Sequence, residues 1–300
     1  MLVLGFEDYR HAGQRLAEAL GVPYDEVEIH RFPDGEHKLT LPPALPEQVI
    51  VCRSLFEPNE KLIDLLLLAG TARDLGAQRL VLVSPYLCYM RQDKAFNPGE
   101  AVSQRIIGQL LADYFDALIT VDPHMHRTPR LADAVPIKHA VSLSACVPIA
   151  SYLQDLAEKP LLVGPDEESR QWVRAIAGLT GLPYVVAEKS RSGDRQIAIR
   201  LPEAEIANRD IVLIDDIIST GCTLARTSEH LINLGAKSVR CIATHVLPHG
   251  GAPTELANAG VTELLSTDSI PHPSNRIWLA GLLAEAINRL DWQDPETAAF

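Results

Sequence analysis

The chain is 300 residues long, 47% hydrophobic, and carries a formal net charge of −12. That length buries a sizeable core, most simply as two domains of about 150 residues each. The acidic balance argues against a general nucleic-acid or anionic-membrane surface, yet it leaves room for phosphates held by a few local cations and Mg²⁺. The five cysteines (Cys52, Cys88, Cys146, Cys222, Cys241) are an odd number with no CxxC pair. That usage suits reduced thiols in a cytoplasm better than a disulfide frame or a zinc ribbon. The opening MLVLGFEDYR turns acidic too early for a signal peptide, and the apolar run LIDLLLLAG is too short to span a membrane.

Taken in chain order, strand-like and helix-like segments alternate. Strands are expected near 2–6, 25–31, 48–53, 79–85, 117–122, 160–164, 183–188, 196–201, 210–215, 238–246 and 261–267. Helices are expected near 9–20, 60–76, 101–116, 144–157, 168–180, 222–235, 252–259 and 276–290. Runs such as RLVLVSPY and DIVLIDD are nearly continuous in apolar residues, as when helices cover both faces of a parallel sheet. The fold class is therefore α/β with doubly wound topology. A faint internal repeat supports two similar lobes: LGAQRLVLVS at 75–84 echoes LGAKSVRCIA at 234–243, and LADYFDALITVDPH at 111–124 echoes the segment at 256–272. The lobes are expected to cover 1–143 and 144–300.

Six segments carry chemistry. RFPDGEHKL (31–39) offers a flat apolar face, Phe32, and two acceptors, Asp34 and Glu36, around a Pro-Asp-Gly turn. Next comes the aperiodic stretch YLCYMRQDKAFNPGEAVS (86–103), which follows a buried strand and places Arg91 and Gln92 where α/β sheets bind ligands; an Arg there suits a polyphosphate. Past another strand end, VDPHMHR (121–127) presents His124 and His126, and VGPDEES (163–169) presents Asp166, which on local grounds is a helix N-cap. AEKSRSGD (187–194) holds Lys189 and Arg191 before a Ser/Gly turn, alternate cations on a flap that could close over a reacting phosphate.

The most telling stretch is DIVLIDDIISTGCT (210–223). An apolar run ends in the adjacent carboxylates Asp215 and Asp216. A turn of small residues follows (Ser219, Thr220, Gly221, Cys222, Thr223), and a helical pattern opens at once. Strand, phosphate-sized loop and helix N-terminus in that order make an anion site, because unpaired N–H groups and the positive end of the helix dipole point at the ligand. The two acids before it suit sugar hydroxyls or a metal. The implied ligand has a phosphate at one end and a diol at the other. Neither a Walker loop nor GxGxxG is present.

This last segment resembles the ribose-phosphate loop shared by type I phosphoribosyltransferases and ribose-phosphate pyrophosphokinases, with Cys222 in the place of a usual small residue. The other five are similar to pyrophosphokinase motifs in family order, and the GEA and EKxR forms are similar to the archaeal-type branch; Gly99 stands where another branch often carries Arg. The resemblance covers nearly the whole chain and implies two lobes of the type I phosphoribosyltransferase fold. It implies transfer of diphosphate from ATP to the 1-hydroxyl of ribose 5-phosphate, giving AMP and phosphoribosyl pyrophosphate. It further implies that Phe32, Asp34, Glu36, Arg91, Gln92 and His124 bind ATP, and that His124 and Asp166 hold Mg²⁺. Lys189 and Arg191 are then catalytic, and Asp215, Asp216 and Ser219, Thr220, Gly221, Cys222 and Thr223 take ribose 5-phosphate. A hairpin that completes a neighbour's ATP site implies a homo-oligomer, a dimer or a multiple of it, in the cytoplasm. Two alternatives stay open: a phosphoribosyltransferase, which would lack RFPDGE and RQD, and a non-catalytic synthetase-associated homologue, which would tend to lose Lys189, Arg191, His124 or Asp166.

Overall fold

The structure is a computed structural model that describes residues 1–125, 127–156, 159–192, 196–200 and 206–292; the side chains of 188–192 and 196–200 lie outside the description. The chain forms two compact units, Met1–Leu143 with Leu279–Phe300, and Ser144–Trp278.

The first unit is built on β1 (Leu2–Gly5), α1 (Arg10–Leu20), β2 (Tyr24–Glu26), β3 (Glu28–Arg31), β4 (His37–Thr40), β5 (Gln48–Cys52), α2 (Pro58–Asp74), β6 (Arg79–Val83), α3 (Ser103–Tyr114), β7 (Ala117–Val121), α4 (Leu131–Ala134) and β8 (His139–Leu143). Its sheet runs in the order β2-β1-β5-β6-β7-β8, with every pair parallel. The central strands QVIVC, RLVLV and ALITV are buried almost throughout, which is why they read as unbroken apolar runs and do not alternate.

The second unit has α5 (Cys146–Gln154), β9 (Leu161–Gly164), α6 (Arg170–Thr180), β10 (Tyr184–Val186), β11 (Glu188–Ser192), β12 (Gln196–Arg200), β13 (Asp210–Ile218), α7 (Cys222–Asn233), β14 (Ser238–Val246), α8 (Ala252–Asn258), β15 (Glu263–Thr267) and β16 (Asn275–Ile277). Its sheet, β10-β9-β13-β14-β15-β16, repeats the first position for position and is again all parallel. In each unit an antiparallel hairpin, β3–β4 or β11–β12, is inserted after the edge strand. Both sequence echoes fall at equivalent places, the first entering β6 and β14, the second β7 and β15.

Several expectations are revised. The strand expected over 25–31 is two: β2 stays in the sheet, while β3, exposed along its whole length, leaves it and folds back at the Pro-Asp-Gly turn onto β4. The expected 183–188 strand divides in the same way into β10 and β11. The helix expected over 276–290 begins only at Ala280; ahead of it β16 is held to the sheet edge, where the Asn275 side-chain amide donates to Ser266 Oγ (2.9 Å) and to the Thr267 carbonyl (2.5 Å). The strand β8 has no counterpart among the expected elements. The chain end also departs from the expected 144–300 block: α9 (Ala280–Asn288) belongs to the first unit, where it packs on α1 and β7. Its apolar face, Leu283, Ala284, Ala286 and Ile287, is buried there and covers a sheet face that would otherwise meet water. Among the described residues no helix is long and apolar enough to cross a membrane.

Candidate active site

In the second unit the strand order reverses between β9 and β13, since the chain steps from β9 to the edge at β10 and then crosses to β13. A crevice outside the carboxyl ends of such a strand pair is where open α/β sheets bind ligands. Asp166 follows β9, and Asp215 and Asp216 lie towards the end of β13, which runs on to Ile218 by pairing with His245 and Val246 of β14. Asp216 is buried and Asp215 half-buried. Each carboxylate folds back on the chain: Asp215 Oδ1 accepts from the Asp216 N–H (3.0 Å), and Asp216 Oδ1 accepts from the Ile217 N–H (2.8 Å). Asp166 Oδ1 accepts from the Ser169 N–H (3.2 Å), and Ser169 Oγ donates to the Asp166 carbonyl (2.6 Å), so Asp166 also closes the turn that leads into α6.

Burial pushes the Asp215 carboxyl well above the usual carboxylate range, and the negative charges of Asp216 and Asp166 push it further. Three acids acting on one point favour a proton, a cation or hydroxyl donors there. That donor set fits Mg²⁺, which takes oxygen ligands and is often held by one or two carboxylates together with phosphates and water. Among the described residues no group of three or more His, Cys, Asp or Glu side chains forms a cage for a metal.

Immediately after β13 comes the turn Ser219-Thr220-Gly221, and Cys222 is the first residue of α7. Gly221 occupies the N-cap position with φ 79°, in the left-handed region that glycine adopts without strain. It has no side chain with which to cap the helix, and no side chain caps α7, so the first-turn N–H groups are left as potential donors to an anion. Cys222 is an exposed free thiol. The turn is backed by Gly250, which the motif reading missed: a Cβ at Gly250 would lie 1.7 Å from the Ser219 carbonyl oxygen. The signal was the Gly-Gly pair between β14 and α8, legible as a turn but not as the floor of a distant loop.

Lys189 and Arg191 lie on β11 in register with Ile199 and Ile197 of β12; their side chains lie outside the description. His126 lies outside the described residues as well.

In the first unit Arg91 and Gln92 follow β6, and His124 follows the neighbouring strand β7, so both loops leave the same edge of the sheet. Arg91 is exposed, while Gln92 and His124 are half-buried. The 91–100 loop is braced by Glu100, which accepts from the Phe96 N–H (2.7 Å) and from Asn97 Nδ2 (2.5 Å). Those donors, Asn97 first, hold the Glu100 carboxyl below its ordinary range. Phe32, Asp34 and Glu36 stand on the exposed tip of the β3–β4 hairpin, with Phe32 40% exposed. The tip is closed by bonds from the Phe32 N–H to the Glu36 carbonyl (2.8 Å) and from the Glu36 N–H to Asp34 Oδ1 (3.1 Å). Its base is anchored where His37 Nδ1 meets Asp64 Oδ1 at 2.7 Å.

Asp64 also accepts from the buried Arg53 (2.8 Å), whose guanidinium reaches Asp8 (3.1 Å) and lies 3.9 Å over the Phe6 ring. These groups sit at the first unit's own reversal point, between β1 and β5, beside a cavity of about 380 Å³ lined by Phe6, Asp8 and Arg53 among others. The first unit's reversal point is thus filled by the chain's own ion pairs.

Two family profiles match the chain, one in each unit. A sequence profile for the N-terminal domain of ribose phosphate pyrophosphokinase matches residues 1–114, and one for the phosphoribosyl transferase domain matches residues 148–277. The ribose-phosphate pyrophosphokinase of Methanopyrus kandleri is 35% identical over 293 residues, spanning 97% of this chain and 99% of that protein. The ribose-phosphate pyrophosphokinase of Thermococcus kodakarensis is 35% identical over 273 residues, 91% of this chain and 93% of that one. Among solved structures, the phosphoribosylpyrophosphate synthetase of Mycobacterium smegmatis superposes with a TM-score of 0.79 at 24% identity, covering 96% of this chain and 97% of that one; this is a likeness of fold.

Proposed function

The chain belongs to the ribose-phosphate pyrophosphokinase family and makes phosphoribosyl pyrophosphate and AMP from ATP and ribose 5-phosphate, and we propose that the residues described above divide that reaction between the two units. In the second unit, Asp215 and Asp216 orient the ribose hydroxyls, and Ser219, Thr220, Gly221, Cys222 and Thr223 cradle the 5-phosphate against the N-terminus of α7. In the first unit, Phe32 stacks on the base, Asp34 and Glu36 accept hydrogen bonds from it, and Arg91, Gln92 and His124 take the phosphates. The arrangement of acid pair, left-handed Gly221 and Gly250 floor at the second unit's strand reversal is the observation that carries this reading.

The sugar's 1-hydroxyl attacks the β-phosphorus of ATP. A bond forms from that oxygen to phosphorus, the bond from phosphorus to the oxygen leaving with AMP breaks, and the hydroxyl proton is released. Charge builds on the equatorial oxygens of the attacked phosphorus and on the leaving oxygen. Catalysis then rests on positioning and electrostatics, without a covalent enzyme intermediate. Lys189 and Arg191 stabilise that charge. His124, past the end of β7, and Asp166, past the end of β9, are each a candidate ligand for Mg²⁺, which when bound would supply charge neutralisation at phosphate oxygens. The exposed β3–β4 tip supports a homo-oligomer in which it completes a neighbouring copy's ATP site. The five cysteines are all free thiols, which suits a reducing cytoplasm.

The test is AMP release from ATP with Mg²⁺. Release that depends on ribose 5-phosphate and falls by orders of magnitude in Lys189→Ala is expected. AMP release without the sugar would overturn the assignment of the second unit. Near-normal turnover of Lys189→Ala would remove β11 from the mechanism.

A further inference from the structure

We propose that Gln104 is a positioning residue for ATP: it locks the loop of Arg91 and Gln92 to the loop of His124, so that their groups meet the nucleotide in one fixed arrangement. The inference rests on the reading of those three residues as ATP contacts.

Gln104 is the second residue of α3 and is 5% exposed. Its side-chain Nε2 donates to the carbonyl of Met90, the residue before Arg91, at 3.2 Å. Its Oε1 accepts from Thr128 Oγ1, four positions past His124, at 2.9 Å. Its backbone N–H donates to the carbonyl of Gln92 at 3.2 Å. One buried amide therefore bridges both loops, using a donor on one side and an acceptor on the other. A carboxylate could not donate to Met90, and an apolar side chain would leave both partners unsatisfied.

A second tie spans the same gap. Asp93, whose side chain is 3% exposed, accepts on Oδ1 from Arg127 Nη1 at 2.9 Å. Its Oδ2 is buried without a hydrogen-bond partner among the described residues, so Arg127 is the counter-ion that makes this buried charge tolerable. Both ties join residues flanking the ATP contacts, not the contacts themselves. That pattern belongs to a frame that fixes where first-contact groups stand, and small misplacements of such groups cost rate and affinity heavily.

Steady-state kinetics of Gln104→Met, Thr128→Val and the double variant test this, with thermal unfolding as the control. Gln104→Met keeps the side-chain volume and removes both side-chain bonds. The expected result is a rise of about tenfold in KM for ATP, with KM for ribose 5-phosphate within twofold and Tm little changed. The double variant should be no worse than Gln104→Met, because the bond lost in Thr128→Val is already gone. A KM for ATP within twofold of the parent in Gln104→Met, or a parallel rise in both KM values, overturns the proposal. Arg91→Ala separates the two levels. If it weakens ATP while Gln104→Met does not, only this inference fails; if it leaves ATP unaffected, the ATP reading beneath it fails.

Discussion

Asp215 has a carboxyl raised by burial and by two neighbouring acids. A raised folded pKa means that the folded state holds a proton which the unfolded chain gives up near the ordinary carboxylate value of about 4. Its stabilising contribution is therefore complete in acid and declines as pH climbs from about 4 toward the folded value. At neutral pH the ligand-free enzyme carries this repulsion as a cost, one that hydroxyl donors or a cation would relieve. Asp215→Asn is expected to raise Tm of the ligand-free protein by a few degrees at neutral pH, with the gain vanishing below about pH 4. The same variant should lose at least tenfold in ribose 5-phosphate affinity, since an amide replaces an acceptor by a donor. Calorimetry across pH together with sugar-phosphate titration checks both; an unchanged Tm profile would mean that the three acids do not act on one another.

A motif becomes a site at the scale of elements. The turn 219–221 has the shape of a phosphate cradle because Gly221 takes a left-handed conformation before α7 and because Gly250, some thirty residues on, leaves room behind the Ser219 carbonyl. Gly250→Ala would force a methyl group to within 1.7 Å of that oxygen. The loop must shift, and KM for ribose 5-phosphate is expected to rise by about tenfold or more while KM for ATP stays near the parent value. Equal effects on both substrates would instead point to general unfolding. The two hairpins belong to this scale too. Inserted at the same point of each sheet, β3–β4 carries Phe32, Asp34 and Glu36 and β11–β12 carries Lys189 and Arg191, so the proposed function gives one structural position two tasks.

The whole molecule is two copies of one sheet plan, with the chain end returned to the first. Beyond α9, Trp292 packs edge-on against His139 at 5.1 Å, Arg79 lies over the indole at 5.1 Å, and Lys138 donates to the Trp292 carbonyl at 3.3 Å. Neither ring nitrogen of His139 has a hydrogen-bond partner among the described residues. Burial, and then the charge of Lys138, hold its pKa below the ordinary 6.5. The unfolded chain takes up a proton that the folded state refuses, so this stabilising contribution is full above about 6.5 and is lost as pH falls below it. His139→Phe is expected to flatten the fall in Tm between about pH 6.5 and 5, read by thermal unfolding. An unaltered slope would show that the histidine is not the group being protonated.

Much of this was legible in the residues. Apolar runs that never alternate imply strands covered on both faces, so the α/β class and the core strands followed from the local residue pattern. The strand ending in Asp215-Asp216, the small-residue turn and the helix after it could be read because these parts are contiguous along the chain. Hairpins were harder: β3 and β11 continue the extended pattern of the strands before them, and only the absence of a sheet partner shows that they leave. Local pattern could not assign α9 to the first unit, because an amphipathic helix does not specify which apolar face it will cover. Nor could it pick out Gly250, Gln104 or Asp93, whose partners are loops far away in sequence. Local chemistry wrote the strands, the turn and the acids into the chain; long-range packing, which depends on which surfaces and unsatisfied polar groups finally meet, decided what supports them.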